Sequence, residues 1–405
     1  MRRLGTALDF GVRWLDAALD FGVRRLDAAL DFRVRWLDAA LDFGVRRLGA
    51  ALEHRTLDKE GIPMKTVNLA LVGFGNVGRA FARLLARKHQ DIREEYGLDL
   101  RITGIATRRH GTVIAPEGLD LEVLLDRMQR GADLNGLSPH PVPGDTFTFI
   151  QKVPADVLLE LTPVNYDTGE PALTHIRMAL QRGMHAVTAN KGPVVHGYRE
   201  LQALAREQGR AFYFESAVMD GAPVFALFRE TLPAVRLVGF EGILNSTTNL
   251  VLTRMETHGE TLEQAVAYAQ KIGIAETDPS GDIDGWDAAI KVAALVTVLM
   301  GEDLKPHQVE REGIGRLTPA DIHRARDAGR RWKLVCRAYR ENGRLVARVQ
   351  PEQVPASSPL YNVMGTSCLI RFETDVLGDL SLREDDPTPE TTAYGLLADV
   401  LNAVR

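Results

Sequence analysis

Cysteine is scarce in this chain: two residues among 405, Cys336 and Cys368. They lie far apart and lack metal-ligand spacing. This excludes a disulfide framework and a cysteine zinc site, and fits a reducing, cytoplasmic setting. Long apolar runs are missing too. None approaches the ~20 residues needed to cross a bilayer, and Asp and Arg interrupt every apolar stretch before Met64, against a secretory signal. Nor is there an excess of basic charge. Lys and Arg number 49 against 54 Asp and Glu, a net charge of −5, which argues against a nucleic-acid surface. What remains is a chain of ordinary apolar content, 45%, long enough for two or three domains with well-buried cores.

The first segment is an internal repeat. The unit Ala7-Leu-Asp-Phe-Gly-Val-Arg-Trp-Leu-Asp-Ala17 recurs from Ala18, Ala29 and Ala40. A helix of period eleven has about 3.67 residues per turn and coils slightly right-handed. Gly11, Gly22 and Gly44 each weaken it by about 1 kcal/mol relative to alanine. Such near-perfect copying suggests translated tandem-repeat DNA. We therefore expect Met64 to be the natural start and residues 1–63 to be a spurious or dispensable leader; the alternative is a genuine amphipathic oligomerisation helix.

From Val67 the pattern changes. Val67–Val72 reads as a buried strand, followed at once by Gly73-Phe74-Gly75-Asn76-Val77-Gly78 and a helical run, Arg79–Lys88. Strand, G-x-G-x-x-G, helix is the order that a dinucleotide-binding fold requires. Gly73 permits the tight turn, Gly75 lets a pyrophosphate approach the backbone, and Gly78 allows close helix–strand packing. The helix amides then face the anion. The second strand, Arg101–Ala106, ends in Thr107-Arg108-Arg109-His110 and lacks the acidic residue that would hold the ribose hydroxyls of NAD. Arginine suits a 2′-phosphate, so Arg108 and Arg109 favour NADP, with NAD possible; a solvated turn is the plain alternative. Val157–Thr162 reads as a third strand and Ala172–Arg182 as a helix ending at Gly183. A short strand through Thr188 then carries Lys191 at its carboxyl end. Ligands bind at that edge of such sheets, which makes Lys191 a candidate contact at the junction of cofactor and substrate; a surface-turn lysine is the alternative.

In the second half, a strand from Phe212 runs into a loop through Glu215, Val218, Asp220 and Ala222. Arg236–Leu244 is another strand, and Asn245-Ser246-Thr247-Thr248-Asn249 leads into a helix from Leu250. Hydroxyls and amides at a helix start suit a substrate carboxylate, and equally suit plain capping. Helices are expected over Leu262–Lys271, Trp286–Met300, His323–Arg340 and Thr391–Val404, and strands around Leu345–Val349 and Ser367–Glu373. Between the first two of these helices lies the most informative stretch, from Glu276 through Asp278, Asp282, Asp284 and Asp287 to Lys291. Asp287 and Lys291 share a helix face. A lysine that exchanges a proton near neutral pH needs a lowered pKa or a carboxylate-rich relay, and the other carboxylates suit a substrate ammonium. Taken alone, the stretch could also be an acidic turn followed by an ordinary ion pair.

Three segments carry a resemblance: Gly242-Ile-Leu-Asn-Ser-Thr-Thr-Asn249, Thr188-Ala-Asn-Lys191, and Gly273 to Lys291. With them, Pro319-Ala-Asp-Ile322 and Gln350–Pro355, the chain from about residue 65 onward resembles the homoserine dehydrogenases. The resemblance implies an α/β fold: a Rossmann-type domain over 64–212, an α+β catalytic and dimerisation domain over 213–378, and a C-terminal segment, 379–405, whose helix returns to the nucleotide domain. It implies reversible NAD(P)-linked conversion of L-aspartate 4-semialdehyde to L-homoserine by a homodimer of threonine, methionine and isoleucine biosynthesis, without nucleic-acid or membrane partners. Lys291 would be the proton donor, Asp282 its support and Lys191 a neighbour of the nicotinamide. Glu276 and Asp287 would hold the substrate ammonium, and Thr247 would lie by its carboxylate. Phe74, Asn76, Val77, Thr162, Lys191 and Gly273 would touch the nucleotide. Glu215, Val218, Asp220 and Ala222 match a loop for Na+ or K+, three of them through backbone carbonyls. Two lysines at one site would also lower each other's pKa.

The chain departs from the family pattern in two places. Ser246 stands at a usual glycine. Arg383-Glu-Asp-Asp-Pro-Thr-Pro-Glu-Thr-Thr392 replaces a glycine-rich turn, which bears on cofactor contacts there. No C-terminal regulatory domain is recognisable after the last helix, so threonine feedback through one is not expected. Two other classes fit the sequence less well. A sugar or polyol oxidoreductase would need hydroxyl-reading residues where this chain has carboxylates. A nucleotide sensor without turnover would not need Lys191, Asp282 and Lys291.

Overall fold

The computed structural model describes residues 64–134, 136–139 and 144–405. The repeat leader lies outside the described residues. Residues 65–405 form one compact unit built on two six-stranded sheets.

The first sheet has the order β3-β2-β1-β4-β5-β6: β1 Lys65–Val72, β2 Leu98–Ala106, β3 Thr112–Ile114, β4 Val157–Glu160, β5 His185–Thr188 and β6 Phe212–Tyr213. All neighbours are parallel except β3 against β2. Helices cover such a sheet on both faces, and so β1 and β4 are nearly unbroken apolar runs. The chain order reverses between β1 and β4, and ligands of open α/β sheets bind at that switch. The helix Asn76–Tyr96 starts there and ends at Gly97, whose φ of 64° is left-handed. Its buried face, through Phe81, Leu84, Leu85 and Ile92, is shared with the last helix, Pro389–Val404, through Leu396, Leu397 and Val400. Lys65 Nζ donates to the Val404 carbonyl at 2.8 Å, fastening that helix to the start of β1.

The second sheet has the order β12-β11-β7-β9-β10-β8: β7 Leu237–Ile243, β8 Glu310–Arg311, β9 Arg330–Glu341, β10 Arg344–Pro355, β11 Cys368–Thr374 and β12 Gly378–Glu384. It is antiparallel apart from the β10–β8 pair. The helix Trp286–Leu295, extended by a wider turn to Met300, is buried from Ala288 to Val296 except at Lys291. The apolar stretch seen in the sequence is thus the helical heart of the second core.

One expected element is wrong. His323–Arg340 is not a single helix. A helix covers Pro319–Asp327 and stops at Gly329, φ 68°, after which the chain becomes β9. Leu334, Cys336 and Ala338 alternate into the main core, whereas Val335 joins a smaller cluster on the opposite face. A strand covered on both faces loses the polar–apolar alternation that would have announced it. The paired strands β9 and β10 run in register over twelve residues each. The Asn245–Asn249 helix also starts earlier than expected, at Ser246, and β12 was not foreseen.

Candidate active site

The glycine loop follows β1 at the switch. Gly73 has φ 98°, and a Cβ there would lie 2.6 Å from the Leu161 carbonyl oxygen beyond β4, so no side chain fits. A Cβ on Gly78 would meet Phe74 at 3.1 Å, the close packing that the third glycine allows. At Gly75 nothing lies within 4 Å. The Phe74 side chain is buried, while Asn76 is exposed at the start of its helix and Val77 is half-buried. The loop is thus closed at Gly73 and Gly78 and open at Gly75, where the helix begins, the arrangement by which helix amides can hold an anion. Arg108 and Arg109 are both exposed, in a turn closed by Thr107 N to the Gly111 carbonyl at 3.0 Å.

Behind the glycine loop, β4 and β5 end in a buried polar network. The Glu160 carboxylate, fully buried, accepts from the Thr162 hydroxyl, and the Thr188 hydroxyl donates to the Glu160 carbonyl at 2.8 Å. Asn190 caps the helix Lys191–Glu207 by accepting from Gly192 N at 2.9 Å, and its amide donates to the Thr162 carbonyl at 3.0 Å. Lys191 is therefore the first residue of a capped helix, not a loose turn lysine.

Its ammonium lies 3.2 Å from Asp287 Oδ1, and the Lys291 ammonium lies 3.1 Å from Asp287 Oδ2. One carboxylate thus bridges two lysines. Lys291 also donates to the Leu244 carbonyl at 2.6 Å. Asn245 completes the cluster: its amide donates to Asp282 Oδ1 at 2.6 Å and to Asp287 Oδ2 at 3.0 Å, while its own oxygen caps the next helix at Thr248 N, 2.8 Å away. Thr247 is buried beside Asp282. These side chains are largely withdrawn from solvent, with Lys191, Lys291 and Asp287 keeping 14–18% of their surface.

The electrostatics correct one expectation. The two lysines were expected to lower each other's pKa. Burial, the largest single influence, opposes the Lys291 charge, but Asp287 foremost, with smaller contributions from Cys368 and Asp220, holds the ammonium above its ordinary value. Asp287 shows the converse: burial alone would raise its pKa, yet Lys191 and Lys291 keep it far below the usual carboxylate range. Asp282 is pushed up, by burial and then by the Asp287 charge. Two carboxyls joined through one amide are thereby driven apart, Asp287 downward and Asp282 upward.

Of the expected site residues, Lys191, Thr247, Asp282, Asp287 and Lys291 come together here. Glu276 stands exposed on the loop after the helix Leu262–Lys271, as does Gly273. Glu215 is spent otherwise: its buried carboxylate accepts from Phe225 N at 2.6 Å and Ala226 N at 2.7 Å. Asp220 takes a left-handed φ of 44° and accepts from the Thr392 hydroxyl at 2.6 Å. Val218 is buried and Ala222 half-buried in the same loop. Among the described residues no group of three or more His, Cys, Asp or Glu is arranged to hold a metal. Ser246, at a usual glycine position, is the first helical residue, its hydroxyl 3.3 Å from the Cys368 sulfur. In the segment replacing the glycine-rich turn, Asp386 adopts φ 47°, the kind of backbone that a glycine would serve. Asn245 was missed because capping alone explained an Asn before a helix. Tyr166, whose phenol feels Asp287, Asp282, Lys291 and Glu276, was missed because a lone loop aromatic carries no spacing signal.

Comparison with known proteins decides the family. A homoserine dehydrogenase model matches residues 223–401, and the model for the homoserine dehydrogenase NAD-binding domain matches residues 73–215. The chain is 37% identical over 340 residues to an NAD(+)-dependent homoserine dehydrogenase of Pseudomonas canavaninivorans, covering 84% of this chain and 96% of that protein. It is 35% identical to the homoserine dehydrogenase of Methanocaldococcus jannaschii, covering 83% of this chain and 98% of that one.

The chain belongs to the homoserine dehydrogenase family.

Among solved structures, a homoserine dehydrogenase from Thiobacillus denitrificans superposes with a TM-score of 0.70 at 30% identity, over 84% of this chain and 73% of that one. A hyperthermophilic archaeal homoserine dehydrogenase mutant in complex with NADPH gives 0.70 at 30% identity, over 84% and 98%. The chain is thus an oxidoreductase that acts on a CH–OH group with a pyridine nucleotide, and it interconverts L-homoserine and L-aspartate 4-semialdehyde in amino-acid biosynthesis. Among the described residues no helix is long and apolar enough to cross a membrane.

Proposed function

We propose that Lys291 is the general acid of this homoserine dehydrogenase. Bound NAD(P)H supplies the hydride. As negative charge gathers on the aldehyde oxygen, the Lys291 ammonium stabilises it and delivers a proton to that oxygen; in the reverse direction the neutral amine takes the proton back. Asp282, whose pKa burial raises, supports this transfer by relaying the proton to and from Lys291 through water. Asp287 fixes Lys291 and Lys191 in a low-dielectric pocket. Together with Glu276 it draws in the substrate ammonium, while Thr247 and Lys191 face the substrate carboxylate. The observation that carries this reading is the Asp287 carboxylate held between the two lysines.

For the cofactor, Gly73, Gly75 and Gly78 with Phe74, Asn76, Val77, Thr162 and Gly273 form the nucleotide cleft, and Arg108 and Arg109 select NADP by pairing with its 2′-phosphate. The NADPH complex of the archaeal relative supports that choice; the name of the Pseudomonas relative favours NAD. Steady-state kinetics with both nucleotides and L-homoserine test the assignment; a higher kcat/KM with NAD than with NADP would reverse it.

The loop through Glu215, Val218, Asp220 and Ala222 takes Na+ or K+ through backbone carbonyls, the Glu215 carboxylate being engaged elsewhere. Activity that does not respond when either ion replaces a bulky organic cation would remove that site. The working boundaries are a nucleotide domain over 64–212, a catalytic and dimerisation domain over 213–378, and a returning segment over 379–405. The enzyme is a cytoplasmic homodimer, consistent with two buried, unpaired thiols; a monomer mass by light scattering would refute the dimer.

A further inference from the structure

Tyr166 lies six residues beyond the end of β4, in the loop before the helix Ala172–Gln181. It is held from two directions. His196 Nε2 lies 3.0 Å from the Tyr166 carbonyl oxygen, and the Tyr166 ring packs beside Trp286, centroids 6.4 Å apart. Trp286 opens the helix that carries Asp287 and Lys291. Across from the phenol is Gly281, next to Asp282: a Cβ built there would lie 3.1 Å from the Tyr166 hydroxyl oxygen. The hydroxyl thus lies close against Gly281, beside Asp282. Burial, then the charges of Asp287 and Asp282, with a smaller contribution from Glu276, raise its pKa, while Lys291 opposes them. It stays a neutral phenol throughout the working range.

We infer that Tyr166 is a specificity-determining residue whose hydroxyl oxygen accepts a hydrogen bond from the α-ammonium of the substrate. An ammonium has three N–H donors and needs three acceptors when withdrawn from water. Asp287 already serves two lysines and an amide, so little of its capacity is left for the ammonium and the phenol oxygen supplies a further acceptor. A phenol can donate its own proton to a neighbouring carboxylate and offer its lone pairs to the ammonium. It adds no fourth negative charge to a site already rich in acids. A substrate without the amino group gains nothing from this oxygen. The inference rests on the proposed assignment of Glu276 and Asp287 to the substrate ammonium.

Two substitutions test it. Tyr166→Phe removes one oxygen and keeps the ring against Trp286. The KM for L-homoserine should rise by about tenfold to a hundredfold, the weight of a hydrogen bond to a charged group. The KM for the nucleotide should not change, and kcat should stay within about threefold. Gly281→Ala pushes a methyl group against the hydroxyl and should raise the same KM in the wild-type background but not in the Tyr166→Phe background. An unchanged KM for L-homoserine in Tyr166→Phe, a loss confined to kcat or to the nucleotide KM, or additive effects of the two substitutions would overturn the inference. A failure of the underlying assignment is distinguishable, because Glu276→Gln and Asp287→Asn would then leave the KM for L-homoserine unchanged as well.

Discussion

Lys191 reaches Asp287 at 3.2 Å, tying the helix that follows β5 to the helix that carries Lys291. The contact joins the carboxyl edge of the nucleotide-binding sheet to the heart of the second core. It also makes one carboxylate the common counter-charge of two buried lysines, and this explains why Lys291 remains an ammonium despite its burial. In the proposed mechanism Lys291 is kept charged by its partner and discharges only when a stronger base, the developing alkoxide, appears beside it.

Asp287→Asn should therefore shift the pH dependence as well as slow turnover. With the carboxylate gone, burial and the Lys191 charge both act to lower the Lys291 pKa. The basic limb of kcat/KM for aldehyde reduction, where the acid is lost as pH rises, should move to lower pH. The kcat should fall by at least about a hundredfold, in the range for a lost acid–base arrangement. A pH–rate profile of wild type and variant checks both effects.

Asn245 combines two duties, capping a helix and bridging Asp282 to Asp287. Asn245→Ala should cost about 1 kcal/mol of stability as a lost cap and lower kcat/KM by roughly tenfold or more, as expected when a buried hydrogen-bond donor is removed. Asn245→Asp keeps the cap but sets a third carboxylate against two others, so its activity should fall further while the cap survives. Thermal unfolding and steady-state kinetics on the two variants separate the duties.

Asp399 is buried in the last helix, accepting from Glu215 N at 2.7 Å, and burial followed by the nearby Glu215 charge pushes its carboxyl up to about 8. A carboxyl with a raised folded-state pKa holds a proton that the unfolded chain has released, so stability falls as pH rises toward the folded value and levels off above it. Wild type should lose stability relative to Asp399→Asn between about pH 5 and 8, by on the order of a few kcal/mol, with no further divergence above about 8. Denaturant titrations at pH 5, 7 and 9 check this; parallel stabilities of the two proteins would show that Asp399 is ionised throughout.

For the cofactor, Arg108→Ala with Arg109→Ala should raise the KM for NADP by about tenfold or more, as loss of charge-assisted phosphate contacts requires, and leave the KM for NAD almost unchanged. Equal losses with both nucleotides would make the pair a structural turn only.

The glycine loop and the acidic stretch were legible because their chemistry is local in sequence: three glycines in one turn, and Asp287 and Lys291 one helical turn apart. The arrangement around Asp287 was less so. Lys191 lies almost a hundred residues upstream, and the sign of the Lys291 shift depends on a carboxylate positioned between the lysines, which no spacing reveals. β9 was misread because Trp332 to Arg340 mixes arginine, alanine and leucine, good helix formers, in a strand packed on both faces. Gly329 was the only break, and a single glycine inside a helical pattern is weak punctuation.

The most direct test is Lys291→Ala, assayed for reduction of L-aspartate 4-semialdehyde alongside a fluorescence titration of NADPH binding. The account predicts loss of most of kcat, by about a thousandfold or more as for a missing general acid that also stabilises the oxyanion, with nucleotide affinity essentially unchanged. Turnover close to wild type would contradict it and would move the proton donor to another residue.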